Sequence, residues 1–99
     1  MTKTNILYVG RHFEITDIVV RLINANKDWI GVGVIDDNEA LAIFQKKEFS
    51  IVLLGSGISF EEEVVLCSFF RNENPKIIII QHYGGGSGLL RSEILSALQ

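Results

Sequence analysis

Cysteine, proline and tryptophan each occur once in these 99 residues, and histidine twice. A single cysteine excludes an internal disulfide, and with only two histidines beside it the chain cannot build a structural zinc centre. One proline and 21% charged residues exclude the composition of a disordered segment. Positive charge is also scarce: nine Lys/Arg against twelve Asp/Glu leave a net charge of −3, with no basic cluster. Nucleic acid is therefore not the expected partner. No apolar run approaches the roughly 18 residues that a membrane helix needs. The first apolar run, Ile6–Val9, is too short for the core of a signal peptide. A cytoplasmic location without membrane attachment is expected, with residues 1–99 forming one domain. What is abundant is apolar surface, at 47% of residues. A chain this short buries roughly 60–70% of its unfolded surface, enough for one core.

Ile6-Leu7-Tyr8-Val9, closed by Gly10, has the continuous apolar character of a strand buried on both faces. Ile15, Ile18, Val19, Leu22 and Ile23 recur at helical spacing and predict a helix buried along that stripe, broken by residues 24–28. Trp29–Ile35 reads as a second strand, with Gly31 and Gly33 leaving room on one face. Asp36 with Glu39, and Ser59 with Glu62, have the spacing of N-terminal capping boxes. They open two further helices, the first buried through Ala40, Ile43 and Phe44. Ile51–Leu54 and Ile77–Ile80 are the third and fourth strands. Residues 83–88 read as a glycine-rich hinge and 89–99 as a terminal helix striped by Leu90, Ile94, Ala97 and Leu98. Strands alternating with helices over short connections predict an α/β three-layer sandwich around a parallel sheet.

The stretch from Asn38-Glu39-Ala40-Leu41 through Glu48-Phe49-Ser50-Ile51-Val52-Leu53-Leu54, and Asn72–Lys76 before Ile77–Ile80, resembles the receiver domains of bacterial response regulators. The resemblance spans about residues 5–82. It implies a flavodoxin-like fold with strand order 2-1-3-4, lacking the family's fifth strand, and a place in two-component signal transduction. It also implies what is missing. Receiver chemistry requires an aspartate after the third strand and an acidic pair after the first to hold Mg²⁺. Here Gly55 stands at the first position, and Gly10 and Arg11 at the others. Gln81 stands where the family has a hydroxyl, and the conserved lysine has no counterpart. The resemblance thus implies a degenerate pseudo-receiver with no catalytic residue, no metal site and no cofactor. Such a domain would act by binding another protein.

Loops following the strands gather at one edge of such a sheet. Arg11, His12, Gly55 and Ser56 lie there, with Gly84, Gly85 and Gly86 beyond the fourth strand, and they form a candidate anion or nucleotide site. The plainer reading of Arg11 is a solvated loop residue, and that of the glycines a hinge. A small-ligand sensor is accordingly the alternative function. His12 and His82 are too far apart, at about 10 Å between first and fourth strands, to share a metal. Cys67 reads as a small core residue. The apolar strand Ile77, Ile78, Ile79, Ile80, followed by Tyr83, has no later strand to pair with. Such an edge is covered, charged or paired. A homodimer is expected, either across this edge or by exchange of the terminal helix. That helix is expected beside the first helix, against Ile15, Ile18 and Leu22.

Overall fold

The computed structural model describes residues 3–81 and 87–98. Its elements follow as β1 (Thr4–Val9), α1 (Phe13–Asn24), β2 (Trp29–Val34), α2 (Asp37–Lys46), β3 (Ile51–Leu54), α3 (Phe60–Glu73), β4 (Ile78–Gln81) and α4 (Ser87–Ala97). The strands form one sheet in the order β2-β1-β3-β4, every pair parallel. β1 pairs with β2 from Thr4↔Trp29 to Val9↔Val34, and with β3 from Ile6↔Ile51 to Val9↔Leu54. β3 pairs with β4 from Ile51↔Ile78 to Leu54↔Gln81. This is the α/β receiver-like architecture the sequence predicts.

Burial follows position in the sheet. Ile6–Val9 and Ile51–Leu54 are wholly buried in the two inner strands, whereas β2 and β4 are half-exposed at the edges. One face carries α2 and α3 over Leu7, Val9, Val52 and Leu54. In that layer Phe44 stacks on Phe49 and lies tilted against Phe70, the Phe44 and Phe70 ring centres 4.7 Å apart. The opposite face carries α1 and α4 over Ile6, Tyr8, Ile51 and Leu53. Both predicted caps form. The Asp36 carboxylate accepts from the Glu39 amide, and Ser59 and Glu62 exchange the two bonds of a complete capping box at 3.1 and 2.9 Å.

Some details depart from expectation, and one is that α4 begins at Ser87, within the stretch 83–88 expected as a hinge. The fourth strand begins at Ile78 rather than Ile77, because the Ile77 amide closes a turn onto the Asn74 carbonyl at 3.0 Å. Its side chain is nonetheless buried. More consequential is the face that α1 buries. Val19 and Ile23 are covered as expected, together with Thr16, but Ile15, Ile18 and Leu22 remain exposed at 45%, 56% and 37%. The cause lies in β2. A side chain begun at Gly31 would meet Ile23 Cγ2 at 2.8 Å, and one at Gly33 would meet Val20 and Thr16 at 2.6 and 2.7 Å. The two glycines draw in the Thr16–Val20–Ile23 side of the helix and roll the Ile15–Ile18–Leu22 row outward. α4 does lie on the α1 face, burying Leu90 and Ile94 beside Val19, Ile23 and Trp29, while Leu98 is exposed.

Candidate functional site

At the carboxyl ends of the strands, the loop after β1 sets Arg11 between α2 and α3. Its Nη2 lies 2.8 Å from the Asp37 carboxylate and 3.4 Å from that of Glu62, and its Nη1 donates to the Gly10 carbonyl at 3.1 Å. The sequence places Asp37 and Glu62 in the first turns of two helices, where carboxylates suit the positive end of the dipole. The same geometry turns both toward one arginine. Amide donation from Ser59 first, then the neighbouring Arg11 charge, holds the Glu62 carboxyl below its ordinary 4.5. With two carboxylates against one guanidinium, the cluster carries net negative charge before any solute arrives.

The loop after β3 closes over this arginine. Gly57 has φ +93°, in the region that favours glycine, and a side chain begun there would sit 3.2 Å from Arg11 Cβ. Ser56 is exposed. Gly55 is buried, and the space a side chain would take is already occupied. A Cβ at Gly55 would lie 2.1 Å from the Tyr8 hydroxyl and 2.7 Å from its Cζ. The same ring runs past Gly10, where a Cβ would meet Tyr8 Cε2 at 2.8 Å and Thr16 Oγ1 at 2.5 Å. Tyr8 is 2% exposed, and burial pushes its phenol above the ordinary 10.0. The aromatic ring thus spans the ends of β1 and β3 and fills the space that a side chain at Gly10 or Gly55 would take.

The structure therefore brings Arg11, Gly55 and Ser56 to one edge, as the strand ends require, and adds Tyr8, Asp37 and Glu62. His12 is exposed at the N-cap of α1, and its side chain makes no capping bond. His82, Tyr83, Gly84, Gly85 and Gly86 lie outside the described residues. Among the described residues no group of three or more His, Cys, Asp or Glu could hold a metal ion, and no helix is long and apolar enough to cross a membrane. A readable signal for Tyr8 existed, since glycines end both strands beside the one large ring in the inner pair.

The second candidate surface is β4. The Ile78 amide points inward to the Ser50 carbonyl, so by the alternation of a parallel ladder the backbone of Ile79 faces outward. Ile78, Ile79 and Ile80 are half-buried and Gln81 is exposed. The Gln81 side-chain amide donates to Glu63, tying the end of β4 to α3. Between them a groove of about 370 Å³ is lined by Val64, Cys67, Ser68 and Arg71 of α3 with Ile79 of β4.

Four parallel strands in this order, with helices on both faces, define a flavodoxin-like receiver fold. A similar solved structure is the non-phosphorylated receiver domain of the stress response regulator RcsB from Escherichia coli. It superposes with a TM-score of 0.61 at 16% identity, over 97% of this chain and 76% of that one. No family model matches the sequence, and no curated protein matches it.

Proposed function

We propose that this chain is a receiver-like signalling domain that does not accept phosphate and works by binding protein, in the first place a second copy of itself, at the outer edge of β4. The observation that carries the reading is the Tyr8 hydroxyl lying where a side chain at position 55 would begin. A phosphoacceptor there needs both a carboxylate and room for a phosphoryl group and Mg²⁺. This edge offers a glycine, a packed phenol and an arginine already held by two carboxylates. The outward backbone of Ile79, which pairs with no other strand among the described residues, supplies donors and acceptors flanked by apolar side chains, the chemistry that strand addition uses. The pairing of Arg11 with Asp37 and Glu62 weighs against the alternative, an anion or nucleotide sensor, because an incoming anion must displace carboxylates that are already in place.

The test is incubation with acetyl phosphate and Mg²⁺ followed by intact-mass measurement. No adduct is expected. A stable Mg²⁺-dependent gain of about 80 Da, one phosphoryl group, overturns the reading. A screen of phosphates and nucleotides by thermal shift addresses the alternative, since a bound ligand raises the melting temperature in proportion to occupancy.

A further inference from the structure

We infer that the second copy is held by two layers at once: β4 pairs antiparallel with its counterpart about a two-fold axis at Ile79, and the two α3 helices pack together about the same axis at Cys67. This rests on the reading of β4 as the contact edge and specifies its geometry.

Three observations lead there. First, Ile79 and Cys67 are level. Gln81 is bonded to Glu63, and stepping back two strand residues to Ile79 covers about 6.6 Å. The same distance along α3 is between four and five residues at about 1.5 Å each, which arrives at Cys67. Both residues line the one groove. Second, the spacing fits. α3 packs over β3 and β4 through Leu66 and Phe70. With strands about 4.8 Å apart, an axis just outside β4 sets the two α3 axes about 10 Å apart, the upper end of direct helix packing. The facing residues Val64, Cys67 and Ser68 are small enough for that approach. Third, the charges are self-complementary. Glu63 and Arg71 lie four residues either side of Cys67, so a two-fold at Cys67 sets Glu63 of one copy opposite the partner's Arg71, twice. The open groove of one copy is then filled by the same helix face of the other, with Ile79 beside the partner's Ile79 beneath it.

Cys67 is the only cysteine in the chain, which makes it a reporter. Helices about 10 Å apart bring facing Cα atoms to about 5 Å, within disulfide range. Treated with diamide, the two thiols lose two protons and two electrons to its N=N bond, giving a disulfide and a hydrazine. The expected result is a species of twice 11.1 kDa on non-reducing gels, formed at a rate independent of protein concentration and absent in C67S. Because Arg71 is exposed, R71E should fold normally and weaken self-association roughly tenfold, with E63R/R71E restoring it. A monomer by light scattering at micromolar concentration overturns the inference together with the self-binding half of the functional reading, and leaves the absence of phosphorylation standing. A phosphoryl adduct overturns the functional reading whatever the mass. A dimer that R71E leaves intact, but that I18K dissociates, places the contact on the exposed row of α1 and also overturns the inference.

Discussion

Gly55→Ala is the smallest change that probes the filled space beside Gly55. Its new methyl would begin 2.1 Å from the Tyr8 hydroxyl, whereas comfortable packing needs about 3.5 Å. The hydroxyl must retreat by more than about 1 Å, in a side chain that is 2% exposed and runs close to the backbone of Gly10. Overpacking of this kind costs about 1–3 kcal/mol. Gly55 does not have a positive φ, so loss of unfolded-chain freedom returns about 0.4–1 kcal/mol. The net expectation is a loss of about 1–2 kcal/mol, or roughly 4–16 °C in melting temperature for a domain of this size. Tyr8→Phe removes the atom at 2.1 Å and leaves the ring carbon at 2.7 Å, so the same alanine should cost less in that background. A double-mutant cycle by urea denaturation and circular dichroism should give a coupling of about 1 kcal/mol. If Gly55→Ala is neutral or stabilising, or costs the same with and without the hydroxyl, the ring does not occupy the position and the argument against a phosphoacceptor loses its foundation.

Further outcomes follow from burial and from the cap. On α1, Ile23→Ala should cost about 2–5 kcal/mol, as expected for a fully buried site. Ile18→Lys, at an exposed site outside the proposed contact, should stay within about 0.5 kcal/mol by thermal denaturation. Ser59→Ala, which removes the acceptor for the Glu62 amide, should cost about 1 kcal/mol. Glu62→Gln tests the charge. The folded state depresses the Glu62 carboxyl below 4.5, so its contribution is present above that pH and lost as pH falls through the depressed value. The wild-type advantage over Glu62→Gln should therefore be full at neutral pH and shrink in acid; an advantage that grows on acidification would contradict the assignment.

The strand positions and both caps were legible because each rests on local signals, whereas the order 2-1-3-4 follows from the family resemblance and not from any one segment. Unbroken apolar tetrads mark the inner strands Ile6–Val9 and Ile51–Leu54, and the Ser59–Glu62 spacing marks a helix start whatever surrounds it. The buried face of α1 was not legible from its own periodicity. Ile15, Ile18, Val19, Leu22 and Ile23 satisfy a helical stripe, but the helix rotates toward whichever strand lets it approach, and Gly31 and Gly33 decide that from another element. Thr16, a polar residue that ends buried, carries no sign of this in its own segment. The strand-end site was half readable. That Arg11 and Gly55 share an edge follows from topology. That Tyr8 reaches the position of a Gly55 side chain, and that Asp37 and Glu62 converge on Arg11, depends on side-chain directions set only when β1, α2 and α3 are assembled. The Ile77 turn differs for a similar reason, since the Asn74 carbonyl claims an amide that the apolar run assigns to the ladder.

On the proposed reading, the phenol between β1 and β3 also bears on how the domain can carry information. A switch driven by a small molecule requires two states that bind it unequally, and an input that favours neither state moves no population. Tyr8 belongs to the chain and is present in every copy, so it cannot be added, withdrawn or titrated by the cell. On the proposed reading the remaining variable is abundance: the fraction of chains paired at β4 rises with their concentration by mass action alone. Synthesis and degradation would then be the signal, and the domain would report how much of itself there is.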